Sequence, residues 1–334
     1  KDKSRWLAHW ENLRRQFIGQ YLVNQLSIRG LIPTYSFPVH SLTLDVIRER
    51  GTAGSFAQSG DVSLSRDAVL GISEYAPGAE VVANGRIWES SGLVKYPRMF
   101  MPEEWYCACA NCHHVDVAPT REDVPAECSN CGHSEGRMNR KFVEPKGFVT
   151  AYKDRKGKDP GMVRRRERPA DEAKLIALPT DEEFKDSDQD DVRQALVPAG
   201  GSESGQSGEL VIVNRGPKGN GYHICNICNF SLAADKYMHK KVLEHKQPLS
   251  GETCSNTQLY YPIDLAHTFS TDVMIIRFFS ALPDTPEDRD FSQFLEGFSR
   301  TLTEALRYGA TDVLEVDSGE LKSTFRRNGK RLDV

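Results

Sequence analysis

Six of the eight cysteines form three Cys-x-x-Cys pairs, a spacing that lets one tight turn direct two sulfurs at a single metal ion. The first two pairs, Cys109/Cys112 and Cys128/Cys131, are separated by fifteen residues. This is the arrangement of a zinc ribbon, in which two turns face one ion. Because four thiolates occupy all four positions of a tetrahedrally coordinated zinc ion, we predict a closed structural zinc site here rather than a catalytic one.

The third pair, Cys225/Cys228, has no further Cys-x-x-Cys pair with which to form a four-cysteine metal site. His245 and Cys254 follow at loop-sized distances and complete a Cys₃His set, in which His245 is the weakest ligand assignment. An apolar, β-branched-rich run from Val273 to Phe278 comes next, broken by one arginine, and is typical of a buried strand. We therefore predict a second structural zinc site that leads into a core strand.

The other cysteine and the nearby histidines have weaker patterns. Cys107 lies one residue too early for a standard turn, so we predict a spare or supporting thiol, with its replacement of Cys109 as a ligand left open. His113, His114 and His133 adjoin ligands and are expected to be bystanders. The alternative use of eight cysteines is four disulfides. The chain shows no secretory signal, so the spacing favours metal binding in a reducing cytosol.

The sequence does not predict an enzyme. No Gly-x₄-Gly-Lys-[Ser/Thr] phosphate loop occurs in the 334 residues, which removes the most economical enzymatic interpretation of a zinc protein with a basic segment. A zinc hydrolase is the alternative from another class. It requires an open coordination position and a general base such as Glu244, beside His245. We predict a non-catalytic protein, since both sites can be filled by four protein ligands.

Charge gives only a local argument for nucleic-acid binding, because the net charge is −4 and the pI is near 6.2. A basic run can neutralise phosphates, and its alternative is a solvated loop. The predicted DNA-contacting arginines are Arg164, Arg165, Arg166 and Arg168, with Lys153, Arg155, Lys156 and Lys158 upstream. From Thr180 to Asp191 the charge becomes acidic, and a Gly/Ser-rich stretch typical of a flexible linker follows.

No run of about 18 apolar residues and no signal peptide is present, so we expect a cytoplasmic protein without a membrane partner. The chain starts at Lys1 rather than Met, and the final KRLDV has the pattern of a strand that is just starting. We therefore expect a longer polypeptide.

Hydrophobic periodicity predicts the elements that position these residues. An apolar stripe predicts a helix from about Lys3 to Ile28, which Gly30 can end. The stripe consists of Trp6, Leu7, Trp10, Leu13, Phe17, Ile18, Tyr21, Leu22 and Leu26. Leu42 and Leu44 alternate as in a strand, and residues 65–71 favour a short turn or helix. The turn dipeptides Pro77-Gly78 and Asn84-Gly85 predict a small antiparallel β unit at about 79–97.

The second half begins with a short strand at 210–213. After the strand at 273–278, an apolar face predicts a helix that Gly309 ends, followed by a strand at 313–316. The face consists of Phe291, Phe294, Leu295, Phe298, Leu302 and Leu306. Strand, helix and strand in this order predict a right-handed βαβ unit with parallel strands.

These elements together predict a mixed α+β fold: an N-terminal helix, a small β unit, two zinc-stapled modules and a C-terminal βαβ unit. The predicted organisation places the helix and β unit at 1–100 and a zinc-ribbon-like module at 101–150. A basic and then acidic flexible linker follows at 151–209, and a zinc-binding βαβ domain occupies 210–334 and continues beyond the chain end.

Several stretches follow one another along the chain: LIPTYSFPVHSLTLDV, EYAPGAEVVANGRIWESSGL, the two Cys-x₂-Cys pairs, KFVEPKGF, ELVIVNRGPKGNGYHICNIC, His245 with Cys254, HTFSTDVMIIRF and EALRYGATDVLEVDSGEL. In this order they resemble the zinc-binding domain shared by DrmB-like subunits of the DISARM anti-phage system and the C-terminal part of MrfA-type superfamily 2 helicases. They span nearly the whole chain.

The resemblance implies a non-catalytic, DNA-binding accessory subunit that partners a DrmA-like helicase in bacterial anti-phage defence. The helicase ATPase core is absent from these residues, which favours a separate subunit. The alternative is the C-terminal accessory region of a DNA-repair or defence helicase.

Overall fold

The computed structural model describes residues 41–46, 63–94, 102–151, 157–159, 170, 173–187, 191–201, 207–235, 240–241, 244–256, 259–279, 289–317 and 319–334. Strands dominate these residues, which contain twenty strands but only two α-helices. The fold is therefore mostly β-sheet, and the predicted α+β class is wrong. The predicted N-terminal helix, at 3–28, lies outside the described residues.

The first eleven strands are β1 (Ser41–Asp45), β2 (Ser63–Asp67), β3 (Glu80–Ala83), β4 (Arg86–Leu93), β5 (Glu103–Ala108), β6 (Val115–Ala118), β7 (Arg140–Val143), β8 (Phe148–Thr150), β9 (Lys174–Leu175), β10 (Lys185–Asp186) and β11 (Val192–Val197). The others are β12 (Glu209–Asn214), β13 (Tyr222–Ile224), β14 (Ser231–Ala233), β15 (Lys240–Lys241), β16 (Leu259–Tyr260), β17 (Pro262–Ser270), β18 (Val273–Phe278), β19 (Arg326–Asn328) and β20 (Arg331–Asp333). The helices are α1 (Ala68–Glu74) and α2 (Arg289–Leu314), and Asp181–Glu183 forms a 3-10 turn.

The first sheet has the order β2-β1-β8-β4-β3. β3 and β4 form the predicted antiparallel hairpin, closed at Asn84-Gly85, where both residues have positive φ angles. The predicted strand at Leu42 and Leu44 is also confirmed, as β1. Asp67 ends β2 and accepts a hydrogen bond from the Val69 backbone N–H, which caps α1.

The largest sheet has eight strands and combines distant parts of the chain. Its main path is β14-β13-β17-β7-β5-β6, and β12, the confirmed strand of the second half, pairs with β17 and β9. β17 and β7 pair in parallel. Tyr106, Phe142, Val211, Val213 and Ala266 pack beneath them as one core cluster. Strands from the predicted 101–150 and 210–334 segments therefore share one sheet, and the proposed segment boundaries stay a prediction.

The third sheet has the order β10-β11-β18-β20-β19. The predicted strand at 273–278 is confirmed as β18, but only one of its faces is buried. Ile275 is 3% exposed, whereas Met274 on the other face is 58% exposed. Leu196, the cross-strand neighbour of Met274 on β11, is 68% exposed. The run has no polar alternation because its outward face is apolar too.

The predicted βαβ unit is wrong. α2 continues through Gly309 to Leu314, so the predicted strand at 313–316 falls at the end of the helix. β18 pairs instead with β20, and the pairing is antiparallel. A glycine inside a helix costs only about 1 kcal/mol relative to alanine. One glycine therefore does not end a 26-residue helix.

Arg277, which interrupts the apolar run of β18, belongs to a buried ion pair. Its Nε donates to Asp333 Oδ1 at 2.8 Å, and its Nη2 donates to Asp333 Oδ2 at 3.1 Å. Arg326 Nε donates to the same carboxylate at 3.3 Å. The Arg277 guanidinium also lies 3.6 Å from the ring centroid of Phe184. One carboxylate therefore joins β18 to the β19–β20 hairpin.

Within the described ranges, neither helix combines the length and the apolar character that a membrane crossing requires.

Removing the shared carboxylate tests this join. Asp333→Ala leaves the buried guanidinium groups of Arg277 and Arg326 without their common partner. We expect a loss of roughly 3–5 kcal/mol in the free energy of unfolding, measured by urea denaturation. Asp186→Ala is the matched control, because its carboxylate is 84% exposed and its pair with Arg193 is on the surface. Equal destabilisation by both substitutions would show that the buried pair has no special role.

Candidate metal centres

The first centre is built from two loops of the largest sheet. Cys109 and Cys112 lie between β5 and β6, and Cys128 and Cys131 lie between β6 and β7. The Sγ atoms of Cys109 and Cys131 are 3.7 Å apart, and those of Cys112 and Cys128 are 3.5 Å apart. Zn–S bonds of about 2.3 Å in a tetrahedron place sulfurs about 3.8 Å apart. The four predicted ligands therefore fit one ion.

The second centre brings together the other predicted ligands. Cys225 and Cys228 lie between β13 and β14, and His245 and Cys254 lie between β15 and β16. Cys225 Sγ is 3.8 Å from Cys254 Sγ, and Cys228 Sγ is 3.2 Å from His245 Nε2. In each centre all four ligand atoms lie within 4.8 Å of one another. The donor sets are those of structural zinc sites, in which zinc would fix the loops.

The three Cys-x-x-Cys turns share one backbone geometry. The residue four positions after the first cysteine donates its N–H to that cysteine's carbonyl oxygen, at 2.8–3.0 Å. This residue has a positive φ angle in each turn: 64° at His113, 71° at Gly132 and 57° at Asn229. Glycine and asparagine tolerate this conformation and signal it in the sequence. Histidine does not signal a positive φ angle, so the place of His113 in the first turn was not predicted from the sequence.

The thiols of Cys225 and Cys228 have opposite pKa shifts, because they share one hydrogen bond. A hydrogen bond from Cys228 lowers the pKa of Cys225 to about 3, although burial opposes this shift. Asn256 adds a hydrogen bond from Nδ2 to Cys225 Sγ at 3.1 Å. The thiolate is the metal ligand, so Cys225 is in the binding form, whereas Cys228, whose pKa the same hydrogen bond raises, must lose its proton when an ion binds. The imidazole of His245, the histidine ligand of this centre, stacks on the Phe230 ring with centroids 4.7 Å apart.

Cys107 lies outside both ligand groups. It is fully buried against Ala118 and Val124, and burial raises the pKa of its thiol. The structure therefore places Cys109, not Cys107, among the first four ligands. Glu244, the base of the hydrolase alternative, is exposed.

The first centre contacts the C-terminal hairpin and α2. The Arg327 backbone N–H donates to the Cys112 carbonyl at 2.9 Å, and Asn130 Nδ2 donates to the Arg327 carbonyl at 3.1 Å. His113, predicted as a bystander, has its Nε2 2.8 Å from Glu296 Oε2 on α2. The metal loops therefore serve as a docking surface for elements about 200 residues later in the chain.

The second centre packs on the first sheet. The Leu93 backbone N–H donates to the Asn229 carbonyl at 3.0 Å. A Cβ atom at Gly92 would lie 2.9 Å from that carbonyl oxygen and 2.9 Å from Pro248 Cγ. Only glycine allows the turn to approach β4 this closely.

The predicted DNA-contacting residues Arg164, Arg165, Arg166 and Arg168 lie outside the described residues, as do Lys153, Arg155 and Lys156. Lys158 is described. It forms a bridge with Ile87 of β4, and its Nζ lies 2.7 Å from Glu89 Oε2.

Cysteine substitutions test the ligand assignment. We expect Cys109→Ser and Cys225→Ser each to reduce bound zinc from two ions to one per chain, measured by elemental analysis of the purified protein. Thermal stability should fall with it, since structural zinc contributes roughly 10 kcal/mol or more to the folding of small modules. Cys107→Ala is the control and should keep both ions. Unchanged metal content and melting in the two serine variants would contradict the assignment.

The close approach of the Asn229 turn to Gly92 can be tested separately. Gly92→Ala must displace the Asn229 turn, so we expect it to lower the free energy of unfolding by roughly 1–3 kcal/mol. Gly297→Ala is the control, because nothing lies within 4 Å of its added Cβ on α2. This helical substitution should stabilise the protein by roughly 0.5–1 kcal/mol. Urea denaturation of both variants measures the difference, and a neutral Gly92→Ala would contradict the close approach.

Comparison with known proteins gives one distant similarity. No protein-family model and no solved structure matches the chain. The chain is 23% identical to Druantia protein DruE of Escherichia coli (strain UMEA 4076-1) over an alignment of 339 residues. The alignment covers 93% of this chain but only 18% of DruE. The chain is thus distantly similar to an anti-phage defence protein and spans less than a fifth of that protein's length.

Proposed function

We propose that the chain is a non-catalytic, zinc-stapled, DNA-binding component of bacterial anti-phage defence that works with a superfamily 2 helicase in the cytoplasm. The observation that carries the proposal is that each metal centre has four protein ligand atoms within 4.8 Å of one another. An ion with four protein ligands has no open position for a substrate or water. The similarity to DruE supports the defence context.

The proposed DNA contact rests on the basic run at 164–168. Lys158, just before this run, is anchored on the hairpin of the first sheet by its bridge to Ile87 and its ion pair with Glu89. Lys158 is thus fixed on the β framework, six residues before Arg164 in the sequence. The chain has no phosphate loop of its own, so a separate motor protein would supply ATP-driven movement.

A second candidate function follows from the much greater length of DruE. The matched region is 18% of DruE, so a region similar to this chain occurs there inside a much larger protein. The corresponding candidate is the accessory region of a DNA-repair or defence helicase. Co-purification from the native operon separates the two candidates. A helicase recovered as a second polypeptide supports the subunit, and a longer polypeptide with its own phosphate loop supports the accessory region.

DNA binding is tested by the salt dependence of affinity. We expect replacement of Arg164, Arg165, Arg166 and Arg168 by alanine to weaken binding of a labelled duplex in fluorescence anisotropy. The slope of log K against log salt should become shallower by up to about 0.9 for each phosphate that the variant no longer neutralises.

The control for this test removes the same charge elsewhere. It replaces the exposed residues Arg66, Lys218, Arg300 and Lys322 by alanine and should leave the slope nearly unchanged. No DNA binding by the unaltered chain at low salt, with or without the helicase, would contradict the DNA part of the proposal.

A further inference from the structure

A polar cleft lies beside the first metal centre. Its volume is about 380 Å³, within the range of small-molecule sites. Two arginines, Arg121 and Arg137, line it together with Ser134 and Asn139. None of the residues that line the cleft is acidic. We call these four residues and the space between them the arginine cleft.

Arg137 is the fixed part of the arginine cleft. Its side chain is only 6% exposed, and its Nη2 donates to Asp116 Oδ2 at 2.7 Å and to the Pro125 carbonyl at 3.3 Å. Its Nη1 is buried and has no hydrogen-bond partner within the described part of the chain. Buried polar groups are nearly always hydrogen-bonded, so an unpaired N–H on a buried guanidinium is unusual.

Asp116 strengthens the hold on Arg137. Burial alone would raise the pKa of Asp116, but hydrogen bonds from His114, Ser129 and Arg137 lower it well below its usual range. The carboxylate therefore stays charged and keeps the guanidinium in one orientation. A planar donor held in this way is suited to the oxygens of a phosphate or carboxylate.

Arg121 supplies the second charge, at the exposed side of the cleft. Its guanidinium carbon lies 5.8 Å from the centroid of the Trp105 ring, a cation–π contact that limits its motion. Ser134 and Asn139 can add a hydroxyl and an amide donor. Pro125 and Met138 add apolar surface for a group attached to the anion.

We propose that the arginine cleft binds the phosphate group of a nucleotide, either free or within a DNA strand. Two guanidinium groups with short polar donors match a phosphate, and the cleft is large enough for the attached sugar. Glu122, Asp123, Glu127 and Glu135 lie on the same β6–β7 loop and reduce long-range attraction. Recognition therefore rests on short-range contacts with one phosphate rather than on a broad basic surface.

The metal ligands join the two walls of the cleft. Pro125 precedes Cys128, and Ser134 follows Cys131, so the second cysteine turn of the first centre connects the walls. The cleft is also separate in sequence from the basic run at 164–168, so this proposal goes beyond DNA binding by that run.

The test measures binding of adenosine monophosphate and inorganic phosphate to the full zinc-loaded chain by isothermal titration calorimetry. We expect Arg121→Ala to weaken both affinities at least tenfold. Arg137→Lys, which keeps the charge but loses the planar donor set, should do the same. Arg66→Ala, an equal charge change on an exposed residue of β2, should stay within twofold. Zinc content and melting temperature confirm that each variant is folded.

A labelled single-stranded oligonucleotide identifies the source of the phosphate. If Arg121→Ala also weakens the oligonucleotide tenfold and adenosine monophosphate competes with it, the cleft takes a strand phosphate. If the oligonucleotide is unaffected, the cleft takes a free nucleotide. No binding of adenosine monophosphate or phosphate by the unaltered chain, or Arg121→Ala affinities equal to those of Arg66→Ala, would overturn the proposal.

The two proposals can fail separately. Alanine replacement at 164–168 should leave binding of adenosine monophosphate unchanged. Loss of DNA binding with intact nucleotide binding therefore concerns only the basic run, and loss of nucleotide binding in Arg121→Ala concerns only the cleft.

Discussion

Four thiolates, or three thiolates and an imidazole, can share a space less than 5 Å across only if a cation balances their charge. This electrostatic requirement determines how the loops of the protein are arranged. The first set of ligands joins the β5–β6 and β6–β7 loops, and the second joins the β13–β14 and β15–β16 loops. The buried clusters at the two centres consist of the ligand cysteines themselves, with Phe230 beside the second. The ion would supply the cohesion that buried side chains supply elsewhere in the fold.

Buried polar networks set the register where strands from distant parts of the chain meet. Arg140 donates to both oxygens of Asp264 at 2.6 Å, and the Tyr106 hydroxyl donates to Asp264 at 2.7 Å. These contacts join β7, β17 and β5 in the largest sheet, as the Asp333 carboxylate joins β18 to the C-terminal hairpin. A one-residue slip of either pairing would leave charges buried without a partner, at a cost of roughly 3–5 kcal/mol for each broken pair.

The features that could be predicted from the sequence are those in which close neighbours determine the structure. The Cys-x-x-Cys turns, the Asn84-Gly85 hairpin and strands β1, β12 and β18 depend on spacing and turn chemistry within a few residues. The C-terminal βαβ unit was wrong because the partner of a strand is chosen by the whole sheet. The two carboxylate partners of Arg277, Asp333 and Asp181, are 56 and 96 residues away in the chain. The arginine cleft was missed for a similar reason, since Arg121 and Arg137 form no pattern in the sequence until the β6–β7 loop folds back and brings them together.

The separation of contacts along the chain also orders the events of folding. The first centre closes over 22 residues and the second over 29, whereas Asn130 and Arg327 meet across 197. Closing a short loop costs less entropy than closing a long one, and long-range contacts form later. We expect each centre to capture its ion while later strands are still being synthesised, so that zinc supply would limit the yield of folded protein before it limits its stability.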